Sequence, residues 1–267
     1  MTAGRGAVLM DTWAEVPGAQ FLMGSEGPEA HPEEGPVREV EVGAFELDTV
    51  TVSNTRFAAF VADTGWQTDA ERFGWSFVFA GFVGAGPEVV AAAAAPWWRA
   101  VTGATWRAPE GPGSTVSGRE AHPVVHVSHR DATAYCAWAG CRLPREAEWE
   151  RAARGDRSQQ PFPWGDELAP AGVWRCNVWQ GRFPEEDTGE DGHVGTAPVG
   201  AYEPAAFGLH CMIGNVWEWT ADPEGPKATR GGSYLCHESY CNRYRTSART
   251  LLTPDSSTGN LGFRCAR

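Results

Sequence analysis

Residues that bend or interrupt the backbone set the limits for this chain. It has 32 Gly and 19 Pro in 267 residues, close to one position in five. Pro fixes φ and removes a backbone donor, while Gly adopts backbone that other residues enter only at a cost. Long helices and long strands are therefore excluded over most of the length. Alternating βαβ units are excluded with them, and the expected class is α+β with much irregular chain. No stretch in the middle reads as a linker, so residues 1–267 are taken as a single domain, with residues 1–12 a candidate disordered start. The 13 Trp supply large apolar area plus one N–H donor each, which suits both a loop-rich core and a binding cleft.

Short elements remain legible between the breaks. Val16 to Ser25 and Val37 to Val52 read as strands. Ser53 or Asn54 can cap a helix with Phe57, Phe60 and Val61 on its apolar stripe and Gly65 at its end. Asp131 can cap a second helix that runs through Ala139 and stops at Gly140. A third runs from about Pro144 to Ala153 and is closed by Gly155. The run Ala91 to Ala95 is helix-prone as far as Pro96, where the Trp97–Trp98 pair follows.

The net charge of −12, without any Lys/Arg block, argues against nucleic acid and favours a basic peptide or a cation. No apolar run reaches bilayer-spanning length. Met1 to Gln20 holds one Arg and no continuous apolar segment, so no secretory signal is read and a bacterial cytoplasm is expected. In that compartment, seven Cys point to metal-binding or catalytic thiols more than to a disulfide framework.

The densest chemistry lies at Cys236 and Cys241. Five residues apart, they sit on opposite faces of a strand and about 140° apart on a helix. If they act together, His237 to Tyr240 must fold back as a tight loop. Two adjacent thiols can form a disulfide, a redox pair or a soft-metal site, and the spacing alone leaves all three open. Zinc with four ligands lacks a second Cys or His pair, whereas two thiolates suit Cu(I).

Around this pair the chain resembles the formylglycine-generating enzymes of the sulfatase-modifying factor family. The resemblance rests on Gly214-Asn215-Val216-Trp217-Glu218-Trp219-Thr220, on Arg230-Gly231-Gly232-Ser233-Tyr234-Leu235-Cys236-His237 through Cys241-Asn242-Arg243-Tyr244-Arg245, and on Asn260-Leu261-Gly262-Phe263-Arg264. Upstream, Arg142-Leu143-Pro144, Glu146-Ala147-Glu148-Trp149-Glu150 and Asn177-Val178-Trp179-Gln180-Gly181 match as well. It implies a C-type-lectin-like fold with little regular secondary structure. It also implies an oxidase: Cys236 and Cys241 would hold Cu(I), and the cysteine of a Cys-x-Pro-x-Arg motif in an unfolded or extended sulfatase would add a third sulfur. O2 would enter beside Ser233 and Trp217, an external thiol would supply electrons, and the product would be formylglycine. Trp97, Trp98, Ser257, Asn260 and Tyr240 are the expected substrate cleft. A monomer is expected.

The resemblance further implies a calcium site made by the Asn177 and Asp191 side chains with the Val178 and His193 carbonyls. A second, from the Gly214 and Val216 carbonyls with Glu218, meets Cys211 where an oxygen ligand is usual. Cys136 and Cys265 stand where relatives form a disulfide, and two buried thiols in contact are expected instead. Cys141 and Cys176 are read as packing or surface thiols. Arg145 replaces the usual Thr cap, so the helix after it is expected to be held by packing. The alternatives are a lectin-like binding module without catalysis and the iron-dependent sulfoxide-forming branch. That branch needs a His cluster, and Pro123 between His122 and His126 argues against a shared helix face.

Overall fold

The computed structural model describes residues 13–84, 89–92, 95–222 and 224–267. The expectation for residues 1–12 falls outside the described residues. Each long N-terminal strand is divided in two by its own breaker. Pro17-Gly18 separates β1 (Trp13–Val16) from β2 (Ala19–Met23), and Gly43-Ala44 separates β3 (Arg38–Val42) from β4 (Phe45–Asp48). β1 pairs with β4 and β2 with β3, both antiparallel. The two turns lie against each other, since a Cβ on Gly18 would come within 2.9 Å of Ala44 N.

The first helix, α1 (Asn54–Thr64), forms as expected. The Ser53 hydroxyl accepts the Arg56 N–H, Gly65 ends the helix in the left-handed region, and Phe57, Phe60 and Val61 are buried. After α2 (Asp69–Phe73) comes an antiparallel sheet of β5 (Trp75–Phe79), β6 (Val89–Ala92) and β7 (Ala95–Thr102), with β7 central. The alanine run is thus strand on both sides of residues 93–94, which lie outside the described residues. Five alanines ahead of Pro96 are too few to nucleate a helix, and pairing with β7 supplies the hydrogen bonds instead.

The cap of α3 (His129–Ala139) is Ser128 rather than Asp131. Its hydroxyl accepts the Asp131 N–H at 3.1 Å, and Asp131 accepts the Ser128 N–H at 2.9 Å. Asp131 is the reciprocal partner three residues in, as in a capping box. α4 (Glu146–Arg154) lacks a side-chain cap from Arg145. Packing is not its only support: Glu148 accepts the Arg145 N–H and Asp222 the Glu146 N–H, each at 2.8 Å. Two carboxylates therefore replace the missing Thr.

A short ribbon, β8 (Gly181–Arg182) with β9 (Glu186–Asp187), precedes the last sheet. That sheet has the order β12-β11-β10-β13, from β10 (Trp217–Trp219), β11 (Lys227–Arg230), β12 (Arg249–Leu252) and β13 (Leu261–Gly262). Only β13 runs parallel to its neighbour, placing Gly262 opposite Glu218. The result is a single α+β domain with few helices and short strands. Among the described residues, no helix is long and apolar enough to cross a membrane.

Two apolar cores are built on these elements. One joins Val16, Leu47, Trp149 and Ile213 with Cys236 and Cys241. The other joins Phe57, Phe60, Tyr135, Trp219 and Phe263 with Cys136 and Cys265. Trp217 packs against both. Beside it, the buried Arg264 donates to both oxygens of Glu218 at 2.6 Å, and Trp149 Nε1 donates to Glu218 Oε2 at 2.7 Å. Arg264 also reaches the Asp48 and His210 carbonyls. The neighbouring Glu218 charge keeps its guanidinium protonated despite burial.

Candidate active site

Two glycines set up the cysteine loop. Gly231 and Gly232 have φ of 90° and 73°. A Cβ on Gly231 would lie 2.8 Å from Met212 O, and one on Gly232 2.5 Å from Arg243 O, so only Gly lets the two arms of the loop cross. Beyond the crossing, the N–H groups of Tyr240, Cys241 and Asn242 all converge on His237 O at 3.0–3.1 Å. This is the tight reversal that the spacing required. It leaves Cys236 and Cys241 free, buried and in side-chain contact.

The two thiols differ electrostatically. Burial pushes Cys236 well above the ordinary thiol range. Cys241 is lowered, chiefly because Cys236 donates its S–H to it, with backbone N–H groups of the loop assisting. Of the two, Cys241 is therefore the thiol that ionises more readily. His31 Nε2 binds Cys241 O at 2.8 Å, and the Trp179 N–H binds Cys236 O at 3.1 Å.

Both sulfurs open onto a cavity of about 200 Å³ that Trp98, Trp217, Ser233, Tyr240 and Asn260 also line. Ser233 Oγ accepts from Asn260 Nδ2 at 2.8 Å and from the Leu235 N–H at 3.3 Å. With its acceptor sites used, the hydroxyl keeps its proton to donate. The Ser233 N–H points at Cys236 Sγ, 3.4 Å away.

Of the expected cleft residues, Trp98, Tyr240 and Asn260 meet at the cavity, while Trp97 and Ser257 do not line it. Trp97 packs edge-on against Tyr240 (centroids 4.6 Å apart) and against Phe183 (5.4 Å), and Tyr240 stacks on Phe183 at 4.6 Å. These three rings form an aromatic rim. Ser257 is buried in a chain of hydrogen bonds: its Oγ meets Ser76 Oγ at 2.8 Å, Ser76 Oγ meets His126 Nδ1 at 2.8 Å, and His126 Nε2 donates to Pro109 O. Phe183 and the His31–Glu34 segment were not singled out in the sequence. Buried Glu34 accepts two bonds from Arg245, and Glu33 pairs with Arg243, clamping the exit of the cysteine loop. Neither carries a motif, because the contacts span more than 200 residues.

At the first calcium candidate, two of the four expected oxygens come together. Asp191 Oδ2 and the Val178 carbonyl both accept from the same donor, Gln180 Nε2. Asp191 also accepts the Val178 and His193 N–H groups at 3.0 Å. Asn177 donates to Gly195 O. At the second candidate, both Glu218 oxygens are bound by Arg264 and Trp149, and the Cys211 thiol donates to Ala201 O. A cation-paired carboxylate and a thiol do not fit an ion that takes six to eight oxygens.

A second group of thiols lies elsewhere. Cys136 and Cys265 are in contact as expected, with sulfurs 3.8 Å apart. Cys141, expected to be a packing or surface thiol, joins them. Cys176 is a buried thiol in the first core.

This arrangement agrees with the similarity of the whole chain to known proteins. Residues 5–267 match the family model described as sulfatase-modifying factor enzyme 1-like domain. The chain is 56% identical over 277 residues to a formylglycine-generating enzyme of Thermomonospora curvata, covering 94% of this chain and 91% of the relative. It is 55% identical to one of Streptomyces coelicolor, covering 94% and 87%. The solved structure of PvdO from Pseudomonas aeruginosa shares the fold, with a TM-score of 0.69 at 23% identity over 96% of this chain and 93% of the other. The chain belongs to the formylglycine-generating enzyme family of sulfatase-modifying factors.

The buried chain behind the cavity predicts an acid response. Burial lowers the His126 imidazole from the usual 6.5 to about 4. Between those values the unfolded chain binds a proton that the folded protein refuses. Stability therefore falls as pH drops from about 6.5 to 4, by up to ~3 kcal/mol. His126→Gln should flatten this part of the curve in urea denaturation. An unchanged difference between the two pH values would contradict the assignment.

Proposed function

We propose that this protein oxidises the cysteine of a Cys-x-Pro-x-Arg motif, in an unfolded or extended sulfatase chain, to Cα-formylglycine. The observation that carries this reading is the pair of free, buried, touching thiols at the base of a cavity, in a chain of this family. Sulfur-only donors at close range fit a soft ion, and Cu(I) held by Cys236 and Cys241 would supply binding of the substrate thiol and activation of O2.

The overall reaction balances with an external thiol as reductant. The substrate CH2–SH, O2 and two reductant thiols give the aldehyde, hydrogen sulfide, water and one disulfide. The protein's own groups serve this chemistry by position and charge. Ionisation of Cys241 is favoured by the Cys236 S–H and the loop amides. Ser233, oriented by Asn260, offers an O–H donor beside the sulfurs. Trp217 and Trp98 wall the cavity and restrict water, which strengthens each polar contact inside it. The rim of Trp97, Tyr240 and Phe183 offers ring faces and edges to the substrate proline, and the −12 net charge favours the substrate arginine. We place the protein in the bacterial cytoplasm, acting as a monomer without a nucleic-acid or membrane partner.

A test is turnover of a short Cys-x-Pro-x-Arg peptide, followed by mass spectrometry. Cys236→Ser and Cys241→Ser should each abolish aldehyde formation. Asn260→Ala, which removes the donor to Ser233 along with a cavity-lining side chain, should lower kcat by roughly 10- to 100-fold. Aldehyde formation by either Cys variant at the parent rate would refute the reading.

Calcium is proposed at the first candidate only, on Asn177, Val178, Asp191 and His193. An ion bound only by the folded state adds about 2.7 kcal/mol at a hundredfold excess over Kd. Calcium should raise the melting temperature of the parent protein and leave that of Asp191→Ala unmoved. An equal rise in both would remove the site.

A further inference from the structure

Cys136, Cys141 and Cys265 come from two distant parts of the chain. Cys136 lies in the last turn of α3, and Gly140 then turns the chain in the left-handed region at φ 71°. The Cys141 N–H returns to Cys136 O at 2.9 Å. This reversal removes the separation of about 140° that a five-residue offset would have on a continuing helix. Arg142 and Ala266 then exchange two backbone hydrogen bonds, of 2.7 and 2.9 Å, which brings Cys265 alongside. Two of the sulfurs are 3.8 Å apart, and all three lie within 4.8 Å of one another. Among the described residues, no other group of three His, Cys, Asp or Glu ligand atoms is gathered this closely.

We propose that Cys136, Cys141 and Cys265 form a second soft-metal site, holding Cu(I) by three sulfurs and independent of the Cys236–Cys241 pair. Two sulfurs each about 2.3 Å from one ion are about 3.8–4.0 Å apart in tetrahedral or trigonal geometry. The Cys136–Cys265 separation already matches this, and the third sulfur needs to move by only about 1 Å. A disulfide would require closure to about 2.05 Å and would leave Cys141 unused.

The donor set selects the ion. It contains sulfur without imidazole or carboxylate, and it offers three ligands rather than the four that structural zinc takes. Three thiolates and one Cu(I) carry net negative charge. The nearby cations are the largely buried Arg56, which is paired with Asp48, and Arg267. Cys141 is the one sulfur of the three that is only half-buried, so it gives an incoming ion access to the other two. Once bound, the ion ties the C-terminal residues to the end of α3.

The test uses full-length protein carrying Cys236→Ser and Cys241→Ser, reduced and kept free of oxygen. Titration with Cu(I) against a chromophoric Cu(I) chelator should show one copper per chain. X-ray absorption should show a shell of three sulfurs at about 2.3 Å. Adding Cys141→Ser should weaken binding by about 100-fold or more, since losing a ligand exceeds the loss from losing its support. The copper-dependent rise in melting temperature should vanish with it. No retained copper, a shell containing nitrogen or oxygen, or binding untouched by Cys141→Ser would overturn the proposal. The absorption spectrum of the protein carrying only Cys236→Ser and Cys241→Ser is decisive even if the added substitution perturbs folding.

Discussion

The buried ion pair between Arg264 and Glu218 is the contact on which the arrangement depends. Short elements with many turns bury little area each, so few of them fix their own position. Arg264 and Glu218 join β13 to β10 and tie in α4 through Trp149, β4 through the Asp48 carbonyl, and the loop before β10 through the His210 carbonyl. Removing one partner of such a pair costs about 3–5 kcal/mol, because a charge is left buried without compensation. The same pair occupies the Glu218 carboxylate, which is why a second calcium site does not fit there.

Charge also fixes the cysteine loop. Arg245 on Glu34, Arg243 on Glu33 and His31 on the Cys241 carbonyl hold the exit of the loop against the N-terminal segment. Arg230, at the entry, is held by Glu146 and Glu150 of α4. The loop between is thus anchored at both ends, and the glycine crossing at Gly232 brings the anchors together. Two sulfurs are thereby kept in contact inside an apolar core, where a thiol is costly to ionise unless its neighbour donates to it.

What could be read in the sequence followed the range of the interaction. Local signals were sufficient for α1, for the C-terminal ends of α3 and α4, and for the fold-back between Cys236 and Cys241. The alanine run misled because local propensity was overridden by pairing with β7. The cap of α3 was misassigned because Ser128 and Asp131 exchange bonds and either can look like the start. Contacts joining residues more than a hundred positions apart left no trace in any window. Glu34 with Arg245, Asp48 with Arg264, and Cys265 beside Cys141 are of this kind. Trp97 and Trp98 were both expected at a cleft, and only the folded chain shows that Trp98 lines the cavity while Trp97 packs on Tyr240.

The central claim is that chemistry occurs on the Cys236–Cys241 pair with a soft ion. The most direct measurement is peptide oxidation as a function of added Cu(I), made on metal-free Cys141→Ser protein so that the other thiol cluster does not compete. The account predicts no aldehyde without copper and turnover that rises linearly and saturates at one copper per chain. Full turnover in the metal-free protein, or a rate that ignores copper at every ratio, would contradict it.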